Sequence, residues 1–435
     1  MMPKRFSSAA ALTMAAFLLH LAAPAAVQAQ APGSALRVAL PFDLVDVLDG
    51  AKFKIRVPRN WNGTLLVYLQ GSKVGAPTPD PVLVPPVVPG SQPALEETLL
   101  SRGYALAASD YGNTDSQQKE SLQDSLALTS YFHARVGDPA RVILWGTSAG
   151  GLAALKMIED YPRAFNGAIA TCAPAAGGPR NSDRKLDFGL AYAVAFGWPA
   201  DKWGPLEDLR EDLLFQRDVL PVAQVPKPDG SNRGAWEFIR LIAGFPTEAF
   251  WQADPIWGVA GWMMNLLFAT QNREVIESWA GGPVSQNLDH RYTLKPEEKT
   301  YLAGLGVNAD DLLAKMNARA NIGANPRARD YVERFGGLRG TLRRPTLTLH
   351  TTLDSLAEVA HESAYHATVE AAGCLDQLSQ VYVKAVGHCA FTSAQLLATL
   401  DAMERWLDTG TRPDASFFPE DKGFDNKFVP PPWPF

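Results

Sequence analysis

The chain has 435 residues, with 40 Lys and Arg against 46 Asp and Glu and a formal net charge of −6. Both signs are interspersed and no basic stripe forms, which argues against nucleic acid as a partner. Three cysteines, with no C-x-x-C and no H-E-x-x-H, give a metal site no support, and no cofactor is implied.

The first residues read as a secretory signal. Lys4 and Arg5 supply a positive start, and residues 9–23 form an apolar core too short to span a bilayer comfortably. Pro24 breaks it, and Val27-Gln28-Ala29 fits small-x-small cleavage after Ala29. A signal peptide over 1–29 predicts a periplasmic or released protein with no stable membrane anchor. About 400 residues then remain, enough for one large domain with an elaboration or for two.

Strand signals at 53–57 and 64–70 flank turn chemistry at 58–63. Residues 77–93 are Pro-rich and read as an irregular loop. A helix over 94–102 leads through Gly103 into a strand over 104–109. A helix over 121–135 precedes the apolar run Val142-Ile143-Leu144-Trp145, a helix follows from 152 to 160, and a strand from 167 to 172. This alternation predicts an α/β fold with a mostly parallel sheet and helices on both faces. The rhythm then stops. Residues 175–340 read as mainly helical and carry many large aromatics, among them Trp203, Trp236 and Trp257. It resumes with a strand over 345–350, a helix over 358–372, a strand over 379–386 and a helix over 393–407. The expected organisation is a core over 30–174 and 341–435, interrupted by a cap insertion over 175–340. The tail from Pro430 to Phe435 reads as extended on the surface.

Gly146-Thr147-Ser148-Ala149-Gly150 sits between the run ending at Trp145 and the following helix. A G-x-S-x-G sequence there forces the serine to the tip of a sharp bend, exposed above the sheet. The plainer alternative is a Gly-rich turn with Ser148 as a helix cap. A serine hydroxyl is a poor nucleophile without a base, so the chemistry needs a histidine oriented by a carboxylate. His388 follows the last strand directly, after Gly387, and can reach back over the carboxyl edge of the sheet. His350 ends a strand at that edge, and its plainer role is a packed or capping histidine. His361 and His366 fall on a helix and read as solvated. For the acid, Asp354 lies in the loop after the 345–350 strand. Glu358, at a helix start, and Asp376, at the opposite sheet edge, are its rivals.

Ser148, Asp354 and His388 in that order, with G-T-S-A-G on strand-turn-helix, resemble the α/β-hydrolase superfamily. Arg102-Gly103-Tyr104 and Gly387-His388-Cys389 are similar to segments of secreted bacterial esterases, near prolyl-oligopeptidase-like and tannase/feruloyl-esterase-like hydrolases. The resemblance covers most of residues 50–175 and 340–410. It implies a secreted serine hydrolase that cleaves a small-molecule or polymeric carboxylic ester through an acyl-enzyme. The alternatives are a prolyl-oligopeptidase-like peptidase, an acyltransferase and a catalytically silent binding protein. Tannase-type enzymes carry a cysteine just before the serine, where this chain has Thr147. The oxyanion donors expected are the backbone N–H of Ala149 and those of Gly71 and Ser72. Gln70 stands where the family commonly has histidine, which leaves open how that loop is held. Cys374 and Cys389 are separated by a strand of roughly 20 Å, too far for a disulfide. Cys172 ends its strand at the carboxyl edge, where Cys389 also lies, and the two are the expected pair.

Overall fold

The computed structural model describes residues 36–72, 80–111, 118–288 and 290–433. The expected signal segment lies outside them.

Eight strands form one sheet: β1 Phe42–Leu48, β2 Ala51–Val57, β3 Thr64–Leu69, β4 Ala105–Ser109, β5 Arg141–Thr147, β6 Gly167–Thr171, β7 Thr346–Leu353 and β8 Leu378–Val386. Their order is β1-β2-β4-β3-β5-β6-β7-β8. β1 and β2 form an antiparallel hairpin, β2 is antiparallel to β4, and β3 to β8 run parallel. The central strands β3, β4 and β6 are buried along their whole length. That fits their continuous apolar sequence, since both faces are covered.

The sequence reading missed β1. It is an edge strand whose residues are all exposed or half-exposed, and its apolar positions, Phe42, Leu44, Val45, Val47 and Leu48, break the strict alternation that marks a half-buried strand. The available signal was Asp49-Gly50. Both residues have positive φ, 51° and 90°, as a two-residue hairpin turn requires.

Helices cover both faces. On one, Leu122 and Phe132 of α2 (Gln118–Arg135) and Leu155 and Ile158 of α3 (Ala149–Asp160) pack with Val67 and Leu144. The helix Ala360–Ala371 adds Tyr365 and Val369 to the same cluster. On the other, Leu95 and Leu99 of α1 (Gln92–Ser101) and Leu396 and Met403 of the helix Ser393–Thr409 pack with Leu66, Trp145 and Ile169.

Between β6 and β7, neighbours in the sheet, the chain is helical from α4 (Gly178–Phe196) to the helix Pro326–Gly336. Among the described residues its strand pairing is a single bridge, Ala253 to Ala260. This stretch has its own apolar cluster, in which Trp203, Trp236 and Phe250 are fully buried. No described helix is long and apolar enough to cross a membrane.

Two sequence expectations need correction. β7 runs on to Leu353 with a bulge between Thr351 and Leu353, so His350 lies inside the strand. His361 is buried, not solvated, and its Nδ1 accepts from the Ala176 N–H at 3.1 Å. The tail is anchored near there. Trp433 packs on the His361 ring at 4.8 Å, and Ser363 Oγ donates to the Pro431 carbonyl at 2.6 Å.

Candidate active site

Ser148 ends β5 and begins α3 with φ 56° and ψ −123°, a conformation a non-glycine residue rarely adopts. Its neighbours explain how the bend closes. A β-carbon on Gly146 would lie 2.0 Å from the Gly150 carbonyl oxygen, and one on Gly150 would lie 2.1 Å from the Leu69 carbonyl oxygen. Only glycine fits either place. The Ser148 N–H donates to the Thr171 carbonyl at 2.9 Å, which ties the turn to β6.

His388 lies in the loop after β8. Its Nε2 is 2.8 Å from Ser148 Oγ, and its Nδ1 is 2.9 Å from both carboxylate oxygens of Asp354. The three residues brought forward from sequence therefore meet in one hydrogen-bonded chain. Asp354 is fully buried. Its Oδ1 also accepts from the Leu356 and Ala357 N–H groups, each at 2.7 Å, so it caps the following turn as well as facing His388. Burial alone would raise its pKa. The charges and hydrogen bonds of His388 and His350 outweigh that and hold it well below the ordinary aspartate value.

The rival acids are engaged elsewhere. Glu358 Oε1 accepts from Arg184 Nε at 2.8 Å. Asp376 lies before β8, where its Oδ2 accepts from Gln377 Nε2 at 2.8 Å.

The oxyanion candidates lie beside the serine. Ala149 is the first residue of α3, where unpaired N–H groups and the helix dipole favour negative charge. Gly71 is so close that a β-carbon there would sit 3.1 Å from Ser148 Cβ. Ser72 lines the same cavity as Ser148. Gln70 answers how this loop is held without a histidine. Its Nε2 donates to the Ser109 carbonyl at 2.7 Å, and its N–H donates to Tyr111 Oη at 3.0 Å.

Cys172 and Cys389 form a disulfide with α-carbons 5.2 Å apart, and Cys374 is free. The bond ties the end of β6 to the loop carrying His388. His388 and both sulfurs lie within 4.8 Å of one another, but the disulfide and the His388 hydrogen bonds use the donors a metal would need.

Two residues support the triad: His350, weighed from sequence as a packed or capping histidine at the sheet edge, and Asp254, which sequence reasoning missed. His350 is fully buried, with Nδ1 at 3.0 Å from Glu362 Oε1 and Nε2 at 3.5 Å from Asp354 Oδ2. Asp254 reaches in from the helical stretch. Its Oδ2 accepts from the His388 N–H at 2.6 Å and from Ser355 Oγ at 2.5 Å.

Ser148, Ala149 and His388 open into one cavity beneath the helical stretch. Phe188, Phe245 and Phe268 form its aromatic wall. The tryptophans the sequence brings to notice mostly build the helical core instead. A second hollow that also reaches Ser148 and His388 is lined by Tyr68, Ile256 and Trp257.

Residues 101–176, which span β4 to β6 and the serine turn, match the prolyl oligopeptidase family. The chain is 25% identical over 431 residues to an o-phthalyl amidase from Xanthobacter agilis, covering 88% of this chain and 91% of that one. Among solved structures, an acylaminoacyl peptidase from Pyrococcus horikoshii aligns with TM-score 0.36 and 11% identity. That alignment covers 80% of this chain, which spans only 37% of the peptidase. Est1E from Butyrivibrio proteoclasticus aligns with TM-score 0.37 and 13% identity, over 84% of this chain and 98% of that one. The sheet order, the strand–turn–helix bearing Ser148 and the match over residues 101–176 make the chain an α/β-hydrolase by fold.

Proposed function

We propose that this protein is a serine hydrolase that cleaves a carboxylic ester through an acyl-enzyme. The observation that carries the reading is the chain from Ser148 Oγ to His388 Nε2, at 2.8 Å, and from His388 Nδ1 to Asp354, at 2.9 Å. In this reading His388 takes the Ser148 proton as Oγ attacks the carbonyl. Asp354 stays ionised and stabilises the imidazolium. The N–H groups of Ala149 and of Gly71 or Ser72 receive the negative oxygen. His388 then protonates the leaving group, and water, deprotonated by His388, releases the acid. The aromatic wall favours an aromatic or apolar acid or alcohol part.

An amide substrate is the second reading. It is favoured by the likeness, across most of both chains, to a protein named o-phthalyl amidase. The same residues serve both, because amide cleavage adds only a demand for protonation of the leaving nitrogen.

Fluorophosphonate labelling with mapping of the adduct tests the nucleophile. The expected adduct is on Ser148, and its absence there rules the reading out. Activity against 4-nitrophenyl esters and matched 4-nitroanilides then separates ester from amide. Substituting the acids decides between them. Asp354→Asn should lower kcat by about 10⁴-fold, whereas Glu358→Gln should leave His388 oriented and cost far less. Comparable losses in the two variants would contradict the assignment.

Export belongs to the same proposal. Lys4, Arg5 and the apolar run before Ala29 support it, as does the disulfide, since such bonds persist in oxidising compartments. The mature chain should begin at Gln30 by N-terminal sequencing, and an intact Met1 on protein recovered outside the cytoplasm would refute cleavage.

A further inference from the structure

One helical face supplies a wall of the cavity in front of Ser148. Asn181, Arg184, Lys185 and Phe188 recur on α4 at the i, i+3, i+4, i+7 spacing of a single face, and all four line the cavity. The two cations on this face are differently placed. Arg184 is bound into the scaffold, with Nε donating to Glu358 Oε1 at 2.8 Å and its terminal nitrogens to the carbonyls of Ile242 and Ala243. Lys185 Nζ donates to Asn272 Oδ1 at 2.8 Å, a neutral acceptor, and among the described residues no ion pair includes it. The nearby carboxylate of Glu277 is matched to Arg273, whose Nε donates to its Oε1 at 2.7 Å.

An ammonium has three donors, and Asn272 occupies one. The surroundings are apolar and aromatic. Lys185 Nζ sits 5.6 Å from the Phe268 ring centre, and Phe188 and Phe245 complete that wall. The site therefore combines flat apolar surface with a cation that has no acid of its own. Burial, with the Arg273 charge, holds the ammonium down to about 7 while Glu277 partly opposes this, so a ligand carboxylate would favour the charged form.

We propose that Lys185 is a specificity residue, and that the cavity takes an aromatic substrate group bearing its own free carboxylate, which Lys185 pairs. The substrate class is then an ester or amide of an aromatic acid that carries a second carboxyl group. This rests on the serine-hydrolase reading of Ser148 and adds a charge requirement to it.

The test compares 2-, 3- and 4-carboxybenzoyl 4-nitroanilides and 4-nitrophenyl esters with their benzoyl counterparts, after subtraction of uncatalysed rates. The wild-type protein should give a higher kcat/KM on at least one carboxylated isomer than on the benzoyl parent. In Lys185→Met that preference ratio should collapse, on the order of 100-fold, mainly through KM, and Lys185→Arg should restore part of it. The inference is overturned if the benzoyl parent is as good as every carboxylated isomer on the wild-type protein, an arm that needs no variant to fold. A preference ratio unchanged in Lys185→Met also overturns it. Fluorophosphonate labelling separates the two failures. If Ser148 forms an adduct and benzoyl esters turn over without carboxylate preference, only the Lys185 inference fails. If Ser148 forms none, the hydrolase reading fails and takes this inference with it.

Discussion

His350 meets acceptors at both ring nitrogens: Glu362 Oε1 at Nδ1, and the Ala357 carbonyl, at 2.9 Å, and Asp354 Oδ2 at Nε2. A neutral imidazole has one N–H and would leave one of these contacts unsatisfied, so the buried ring is suited to carry charge. Burial alone would lower its pKa. Hydrogen bonds and charge from Asp354 and Glu362 outweigh that and raise it to about 10. The consequence for stability has a definite sign. A histidine with an unfolded pKa near 6.5 and a higher folded one binds its proton more tightly in the native state. Its stabilisation is complete below about pH 6.5 and is lost as pH rises through about 10. Chemical denaturation across that window should show a falling free energy of unfolding, and His350→Gln should flatten the fall. Parallel slopes in the two proteins would assign the alkaline loss to other groups. Asp354 acts in the opposite direction. Its lowered pKa contributes stability above the ordinary aspartate value, near 3.9, that is lost as pH falls further.

At the scale of elements, the site depends on a loop held from outside itself. The His388 loop is pinned by Asp254, whose Oδ1 also accepts from the Ile256 and Trp257 N–H groups at 2.8 and 3.0 Å. Asp254 is thus a positioning residue that couples the helical stretch to the end of β8. Asp254→Ala should lower kcat by about 10- to 100-fold, because small misplacement of a general base is costly. KM should change little, and Asp254→Asn should recover part of the loss. A fall confined to KM would instead place Asp254 on the substrate. This residue was not legible in the sequence, since it acts on a partner 134 positions away and its local setting is an ordinary turn. The Ser148 turn was legible because its cause is local: an apolar strand, two glycines and a helix in succession. The order of Ser148, Asp354 and His388 followed from the strand rhythm on either side of the helical stretch. The length of β7 was not legible, because Thr351, Thr352 and Leu353 read as loop until β8 pairs with them. The cavity face of α4 carried a helical period that could have been read, but nothing local distinguishes a face that lines a cavity from one that faces solvent.

Across the whole molecule, the Cys172–Cys389 bond joins positions 217 residues apart and encloses the entire helical stretch. Both cysteines have left-handed backbone, with φ 46° and 61°, a region that L residues other than glycine seldom occupy. The bond therefore holds two turns in place, one at the end of β6 and one immediately after His388. Chain entropy for a loop of this length corresponds to about 5 kcal/mol at most, and measured values for disulfides centre on about 2–4 kcal/mol. The double variant Cys172→Ser/Cys389→Ser should lose a few kcal/mol by denaturant unfolding. It should also lose activity under conditions where it remains folded, because the residue next to His388 is released while Asp254 still holds the His388 N–H. Reductant should lower the wild-type stability and leave the double variant unaffected. Cys374→Ser is the control, since Cys374 is a free thiol in the turn before β8, away from His388. Stability lost with activity retained would mean that the bond only restricts the unfolded chain. Activity lost beyond the unfolded fraction would mean that it also sets the distance from His388 to Ser148.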